Sequence, residues 1–249
     1  MTTPKPKLLL TRNQMGWTSD QLNEVSFQFV DFCRTGACAE HSPALDIGAA
    51  YGTASLEALR AGAWVIANDL DPGHLEELER RARQQGLTRL RLKPGRFPRE
   101  VHFEPATLGA VHASNVFHFL TGNQLSEGVR AIARWLRPGG KLFVQAATPY
   151  QAAFSGFIPE YEKRLNSGVR WPGWVEKISR YSRHKKLGAM PASVHLLDDR
   201  VLSAVVASSG LVVERAWLYH RGDFPKELKL DGRESLGLVA VKAAIGLSL

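Results

Sequence analysis

The feature that most constrains the fold is a short apolar run that ends in a glycine-containing turn, Leu45-Asp46-Ile47-Gly48-Ala49-Ala50-Tyr51-Gly52. Residues 43–47 have the composition of a strand and residues 53–61 that of a helix, so the turn would lie at a helix N-terminus, where backbone N–H groups can hold a polar ligand. Residues 63–68 predict a second strand, and Asp69 follows it. An acid about 20 residues beyond such a turn commonly accepts hydrogen bonds from ribose hydroxyls. The pattern predicts a nucleoside-binding α/β fold.

The order of acid and glycines distinguishes between the possible nucleoside cofactors. Nicotinamide and flavin sites have the order G-x-G-x-x-G, whereas this chain has D-x-G-x-x-x-G, with Asp46 two residues ahead of Gly48. A carboxylate at the strand end repels a pyrophosphate and attracts an ammonium group, which favours the amino-acid end of S-adenosylmethionine. In Asp46, Gly48, Gly52 and Asp69, the chain resembles the class I S-adenosylmethionine-dependent methyltransferases, whose first motif is an acid with spaced glycines and whose second strand ends in a ribose-binding acid.

The chain departs from the family pattern at two places. The frequent middle glycine is Ala50 here, and we expect this residue to keep a negative φ, at which alanine costs little. The loop after the strand through Leu92 lacks the Asp with which many relatives contact the adenine amino group, so the backbone or Phe97 is expected to make that contact. The candidate cofactor-binding residues are Asp46, Gly48, Ala49, Ala50, Gly52, Asp69, Leu70, Phe97, Ser114, Asn115 and Val116.

The resemblance also implies the architecture. It is a Rossmann-like, doubly wound α/β sheet of seven mostly parallel strands with an antiparallel last strand. A helix, then Arg137-Pro138-Gly139-Gly140, then an apolar strand is similar to the family's fifth-strand signature. The methyltransferase domain is expected over residues 40–148 and 195–249, where the closing segments predict a helix followed by two strands.

Residues 1–39 are expected to form a helical segment ahead of this domain. Ser19 is predicted to cap a helix in which Leu22, Val25 and Phe29 recur at helical spacing. In similar methyltransferases a leading segment often closes over the cofactor, which would bring Met15-Gly16-Trp17 to the site. A helix that packs only on the sheet is the alternative.

Residues 149–194 separate the fifth strand from the final helix and far exceed the usual connection of about 2 to 6 residues. We expect a helical cap, or lid, over the cofactor edge of the sheet. The segment interleaves aromatic and basic side chains, which suits a flat, partly anionic organic molecule, although the aromatic side chains could instead form the core of the cap. The candidate substrate-binding residues are Trp17, Phe157, Tyr161, Trp171, Trp174 and Tyr181.

Methyl transfer from a sulfonium depends mainly on positioning and on the exclusion of water, so a strong base is optional. If the acceptor is a hydroxyl or an amine, His118 just beyond the fourth strand is the first candidate to take its proton, and Tyr150 just beyond the fifth is the second. His184 and His195 are weaker candidates. The segment Ser114-Asn115-Val116-Phe117 lacks the Asn-Pro-Pro-Tyr-like run of relatives that methylate adenine or glutamine amides, which disfavours those reactions.

Charge and cysteine content limit the possible partners, metal sites and cellular compartment. The formal net charge of +8 at pH 7 is compatible with a nucleic acid or an acidic substrate, but no RNA-binding motif is visible. Cys33 and Cys38 neither build a disulfide framework nor complete a metal site, so we expect no metal and a reducing, cytoplasmic compartment. The N-terminal apolar run, Leu8-Leu9-Leu10, is too short for a signal peptide or a membrane span.

We therefore predict an enzyme that moves a methyl group from S-adenosylmethionine to a small aromatic or acidic organic molecule. Two alternatives stay open. The enzyme could act on RNA or protein through its basic surface, or the chain could bind the cofactor without catalysing transfer. The sequence does not predict the oligomeric state.

Overall fold

The computed structural model describes residues 8–13, 15–182, 191–222 and 224–244. The strands are β1 Leu8–Leu10, β2 Trp17–Ser19, β3 Ala44–Ile47, β4 Val65–Asp69, β5 Leu90–Pro94, β6 Leu108–Ser114, β7 Leu136–Ala147, β8 Trp174–Val175, β9 Val194–His195, β10 Val212–Tyr219 and β11 Ser235–Val241. The α-helices are α1 Glu24–Phe32, α2 Thr53–Arg60, α3 Pro72–Gln84, α4 Gly122–Trp135, α5 Ile158–Asn166 and α6 Asp199–Ser208.

A seven-stranded sheet forms the centre of the fold, with the order β10-β11-β7-β6-β3-β4-β5. Strands β3 to β7 are mutually parallel, and β11 pairs antiparallel with both β7 and β10. This topology confirms the predicted Rossmann-like architecture. Because β11 reverses direction, β10 runs the same way as β7, so the segment after β10 reaches the edge where the parallel strands end.

Helices cover both faces of the sheet, and each face has its own hydrophobic core. One core holds side chains of α4 and α6, including Leu125, Ile132 and Leu202. The opposite core holds side chains of α1, α2 and α3, including Phe29 and Leu78. Both faces of the parallel strands are therefore buried, which explains why β3 and β6 are almost continuously apolar.

The helical part of the leading segment begins later than the sequence predicts. Ser19 ends β2, in a hairpin with β1, and the cap of α1 is Asn23, whose side-chain oxygen accepts a hydrogen bond from the Ser26 backbone N–H at 2.9 Å. The prediction that Ser19 caps the helix was wrong because β1 pairs with the chain through Ser19, a contact that helical spacing cannot reveal. A five-residue π-helix, Cys33–Ala37, continues α1 and ends this segment.

The inserted segment is only partly helical over residues 149–182 and 191–194. It contains a 3₁₀ segment, Ala152–Phe157, followed by α5 and by a two-strand ladder between β8 and β9. Its interior is a third hydrophobic cluster, which includes Tyr150, Phe154 and Phe157. In the part of the chain that the structure describes, no helix combines the length and apolar character needed to cross a membrane.

Candidate active site

A cavity of about 390 Å³ lies at the edge where the parallel strands end. Its floor is the turn after β3 together with the residues that follow β4 and β6. The N-terminal hairpin and the first turn of α1 form one wall, and Met15, Gly16 and Trp17 all line it. Residues of the inserted segment and of the chain after β10 form the opposite wall. The leading segment is thus part of the cavity rather than only a support for the sheet.

The turn after β3 requires left-handed backbone conformations, with φ of 66° at Gly48 and 81° at Gly52. A Cβ atom at Gly48 would lie 2.4 Å from Cγ2 of Val116, so the turn also packs closely against the end of β6. Ala50 has a φ of 47°, and the expectation of a negative φ was wrong. Its backbone N–H donates to Oδ2 of Asp69 at 2.9 Å, and this contact holds the residue in a conformation that costs about 1 kcal/mol for an L-amino acid.

Asp69 lies at the end of β4 and is buried on the cavity wall. Its Oδ1 accepts the backbone N–H of Asp71 at 2.9 Å and lies 3.2 Å from Nδ1 of His74. The carboxylate is therefore held in one orientation by the turn on one side and by the start of α3 on the other. Oδ2 accepts one hydrogen bond, from the Ala50 N–H, and can accept a further one from a ligand hydroxyl.

Asp46 is buried at the end of β3, directly opposite His112 in the neighbouring strand. The Ser55 hydroxyl donates to Oδ2 of Asp46 at 2.6 Å, and Nδ1 of His112 lies 2.7 Å from Oδ1. The His112 ring stacks on Phe29 of α1, with ring centroids 4.7 Å apart. These contacts fix an acidic group beside the turn, where it can receive an ammonium group.

All the predicted cofactor residues except Gly52 line the cavity. Gly52 lies behind the turn, where a Cβ atom would come within 2.1 Å of Cδ1 of Leu78, so its contribution is to the packing of α2 on α3. Leu70 is exposed on the cavity rim. Phe97 reaches the cavity while its ring stacks on Phe117 at 6.3 Å.

Of the two proposed catalytic residues, only His118 lines the cavity. Burial lowers the pKa of His118 to about 4, so the ring is neutral at physiological pH and is a weak base. Its Nδ1 faces the backbone N–H of Ala147 at 3.5 Å, which leaves the proton on Nε2. Tyr150 does not line the cavity. Its hydroxyl donates to Oε1 of Glu162 at 2.5 Å, and burial raises its pKa.

Most aromatic residues predicted to bind substrate are used elsewhere, and among those predictions only Trp17 lines the cavity. Phe157 and Tyr161 are completely buried in the core of the inserted segment, and the Tyr181 ring packs against Phe157 at 4.9 Å. Trp171 and Trp174 both pack edge-on against His195. Phe157, Tyr161 and Tyr181 thus belong to the core of the segment, as in the alternative considered from the sequence, while Trp171 packs against the core of the sheet domain. His184 lies outside the described residues.

The structure adds several cavity residues that the sequence did not single out. At the end nearest Asp46 and Asp69 these are Asn23, Ser26, His74 and His112, and at the opposite end they are Gln151, Phe154, Arg221, Phe224 and Leu228. His112 carried a recognisable signal, because it is a polar residue inside an otherwise apolar buried strand. Arg221 carried none, since an arginine in a connecting loop is usually a surface residue.

In the described part of the chain, no group of three or more His, Cys, Asp or Glu side chains is arranged to hold a metal ion.

The cavity does fit S-adenosylmethionine. Asp69 can bind ribose hydroxyls, Asp46 can bind the ammonium end, and Leu70 and Phe97 offer an apolar surface to the adenine.

Comparisons with known proteins agree with this fit. Residues 44–140 match a family model described as a methyltransferase domain, and no curated protein matches the sequence significantly. The fold is similar to that of an S-adenosylmethionine-dependent methyltransferase from Methanosarcina mazei, with 15% identity, a TM-score of 0.62, and coverage of 84% of this chain and 96% of that chain. A second such enzyme, from Mesorhizobium loti, has 15% identity, a TM-score of 0.60, and coverage of 88% and 98%.

A geranyl diphosphate methyltransferase solved with S-adenosylmethionine has 16% identity to this chain, a TM-score of 0.57, and coverage of 88% of this chain and 85% of that chain. At such identities these structures establish the fold alone. The match of residues 44–140 to a methyltransferase domain, together with this fold, supports a class I S-adenosylmethionine-dependent methyltransferase with S-adenosylmethionine as its cofactor.

Proposed function

We propose that this methyltransferase acts on a small organic acceptor that carries an anionic group. The observation that supports this class is Arg221, which lines the cavity and is only 5% exposed. Its guanidinium lies over the Phe224 ring, 4.4 Å from the centroid. A guanidinium group on the cavity wall attracts the carboxylate or phosphate group of an acceptor.

The charge distribution along the cavity supports the same assignment. The two carboxylates, Asp46 and Asp69, lie where β3 and β4 end, and Arg221 lies beyond β10 at the opposite side of the sheet. The cofactor presents its ammonium and ribose groups to the acidic end. An anionic acceptor would then be drawn to the basic end, with Phe154, Phe224 and Leu228 around its apolar part.

His118 is suited to orient the acceptor rather than to deprotonate it. When bound, the cofactor would supply an electrophilic methyl group: the acceptor's nucleophilic atom would bond to the methyl carbon while the carbon–sulfur bond breaks and S-adenosylhomocysteine leaves. A base with a pKa of about 4 removes a proton from a hydroxyl only at a large free-energy cost, whereas the Nε2–H of neutral His118 can donate a hydrogen bond to the acceptor. Met15 and Trp17 line the cavity, where their apolar side chains can help to exclude water.

The test is a transfer assay with radiolabelled methyl donor and paired acceptors, each pair being an aromatic carboxylic acid and its neutral amide. We expect labelling of acids and not of amides. Arg221→Gln should raise the acceptor KM about 30-fold or more, as expected for the loss of a charge-assisted hydrogen bond of about 2 kcal/mol, while affinity for S-adenosylhomocysteine stays unchanged. Arg221→Lys should recover part of the loss.

A matched control is Arg96→Gln, which removes an exposed cation that lines the cavity near Phe97. This variant should leave the acceptor KM unchanged. Equal transfer to acids and amides would overturn the anionic class, and transfer to total RNA with no transfer to any small acceptor would favour the macromolecular alternative.

A further inference from the structure

Each of the two predicted cofactor-binding acids is hydrogen-bonded to a buried histidine. The second ring nitrogen of each histidine is hydrogen-bonded to the N-terminal segment. Nδ1 of His112 lies 2.7 Å from Asp46, and its Nε2 lies 2.9 Å from the hydroxyl of Ser26 in α1. Nδ1 of His74 lies 3.2 Å from Asp69, and its Nε2 accepts the backbone N–H of Arg12 at 3.2 Å. We name these two chains of contacts the Asp46 relay and the Asp69 relay.

The contacts determine which ring nitrogen carries the proton in each relay. The Arg12 N–H can only donate, so Nε2 of His74 must offer a lone pair and the proton lies on Nδ1, facing Asp69. A carboxylate can only accept, so Nδ1 of His112 also carries a proton. His74 therefore donates to Asp69 and accepts from the Arg12 N–H, whereas His112 donates to Asp46 and shares a hydrogen bond with the Ser26 hydroxyl through Nε2.

The surroundings of the relays reinforce this link. His74, His112 and Ser26 are each at most 2% exposed, so losing a partner would leave a buried polar group unpaired. A third hydrogen bond connects the N-terminal segment to the sheet: Nδ2 of Asn23 donates to the hydroxyl of Ser114, at the end of β6, at 2.9 Å. The hairpin is further held by the Thr53 hydroxyl, which donates to the Ser19 carbonyl at 2.9 Å.

We infer that His74 and His112 are positioning residues that couple docking of the N-terminal segment to cofactor binding. Each histidine holds its acid in the binding orientation only while the N-terminal segment is hydrogen-bonded to the Nε2 atom of that histidine. The cofactor, by binding the oriented acids, stabilises the docked segment in return, since linkage between two sites is reciprocal. The inference uses the assigned cofactor and does not depend on the proposed anionic acceptor.

The experiment measures S-adenosylhomocysteine binding by calorimetry and amide hydrogen exchange of residues 8–32 by mass spectrometry, without any acceptor. In the wild-type protein, we expect S-adenosylhomocysteine to slow exchange in residues 8–32. His112→Asn and His74→Asn keep an amide donor near the position of Nδ1 and lose the ring nitrogen Nε2 that contacts the N-terminal segment. Each should weaken binding about tenfold, within the usual range of coupling, and should lose most of the slowing at saturating ligand.

A control and a milder variant keep the outcome interpretable. His195→Asn changes a buried histidine that lies outside both relays and the cavity lining, and it should retain wild-type affinity and slowing of exchange. Ser26→Ala removes only the hydroxyl on the segment side and should weaken binding in the same direction, even if a histidine variant fails to fold. The inference is overturned if the ligand leaves exchange of residues 8–32 unchanged in the wild type, or if both folded histidine variants bind as tightly as wild type.

Discussion

The two ends of the cavity are built in different ways. At the cofactor end, the binding groups follow directly from β3, β4 and β6, so their positions are set by strand register and by the backbone of one turn. At the acceptor end, the groups come from the inserted segment and the chain after β10, and most aromatic side chains of the insertion pack on one another. A site made from strand ends is therefore encoded locally, whereas a site made under a cap depends on which side chains the cap needs for its own core.

The largest effect that tests this contrast is expected for Phe157→Ala. Phe157 is completely buried in the core of the insertion and does not line the cavity. The substitution should lower the free energy of unfolding by about 3 to 5 kcal/mol, as measured by urea titration, with little change in S-adenosylhomocysteine affinity. Phe27→Ala, at a side chain that is 55% exposed, is the control. Unchanged stability with a raised acceptor KM would instead place Phe157 against the substrate.

A smaller loss is expected at the cofactor end for Asp69→Ala. If the Asp69 carboxylate binds the ribose hydroxyls as predicted, its removal should weaken S-adenosylhomocysteine binding by about 1.5 to 3 kcal/mol, as measured by calorimetry. Glu127→Ala, which removes an exposed carboxylate on α4, should leave the affinity unchanged. Wild-type affinity in the Asp69 variant would contradict the ribose assignment.

Protonation of His118 should produce a third effect, on the pH dependence of stability. Its pKa is lowered by burial to about 4 in the folded state, from an ordinary value of 6.5. Between these values the unfolded chain binds a proton that the folded protein does not, so the free energy of unfolding should decrease as the pH is lowered from 6.5 to 4, by up to about 1.4 kcal/mol per pH unit. Above pH 6.5 this contribution disappears.

The measurement is denaturant unfolding at several pH values from 4 to 7.5, on the wild type and on His118→Gln. The variant should show a flatter decline between pH 6.5 and 4, because it lacks the titrating group, while carboxylates contribute equally to both proteins. Parallel curves for the two proteins would show that His118 does not titrate as described.

The smallest effect concerns the left-handed conformation of Ala50. Glycine adopts positive φ without strain but loses more entropy on folding, so Ala50→Gly should raise the free energy of unfolding by about 0.5 kcal/mol with little change in cofactor affinity. Ala49→Gly, at a neighbour without positive φ, should lower it by about 0.4 to 1 kcal/mol. Equal changes at the two positions would mean that the conformation of Ala50 carries no strain.

Much of the cofactor end was predictable because short-range patterns determine it. Apolar strand segments, glycines in a turn and an acid at the next strand end placed the predicted binding residues on one cavity, with Gly52 just behind it. The prediction was wrong about Ala50 because its conformation depends on a hydrogen bond to Asp69, 19 positions away. His112 was missed because its partners Asp46 and Ser26 lie 66 and 86 positions away, and the contact of His74 with Arg12 spans 62 positions.

At the acceptor end, composition alone was misleading. Aromatic residues bury apolar area equally well in a core or against a ligand, so the sequence of the insertion could not distinguish Phe154, which lines the cavity, from Phe157, which does not. Arg221 reaches the cavity because β10 runs in the same direction as β7, with the antiparallel β11 between them. The C-terminal end of β10 therefore lies at the cofactor edge of the sheet.

The sequence by itself determined the fold class, the cofactor and the two acids proposed to bind it, because these depend on residue order within single strands and turns. Only the tertiary structure decided which side chains line the proposed acceptor end, how His118 is protonated and how the N-terminal segment reaches both acids. These properties depend on contacts between residues far apart in the chain, where burial and hydrogen-bond geometry, rather than residue type, select the outcome.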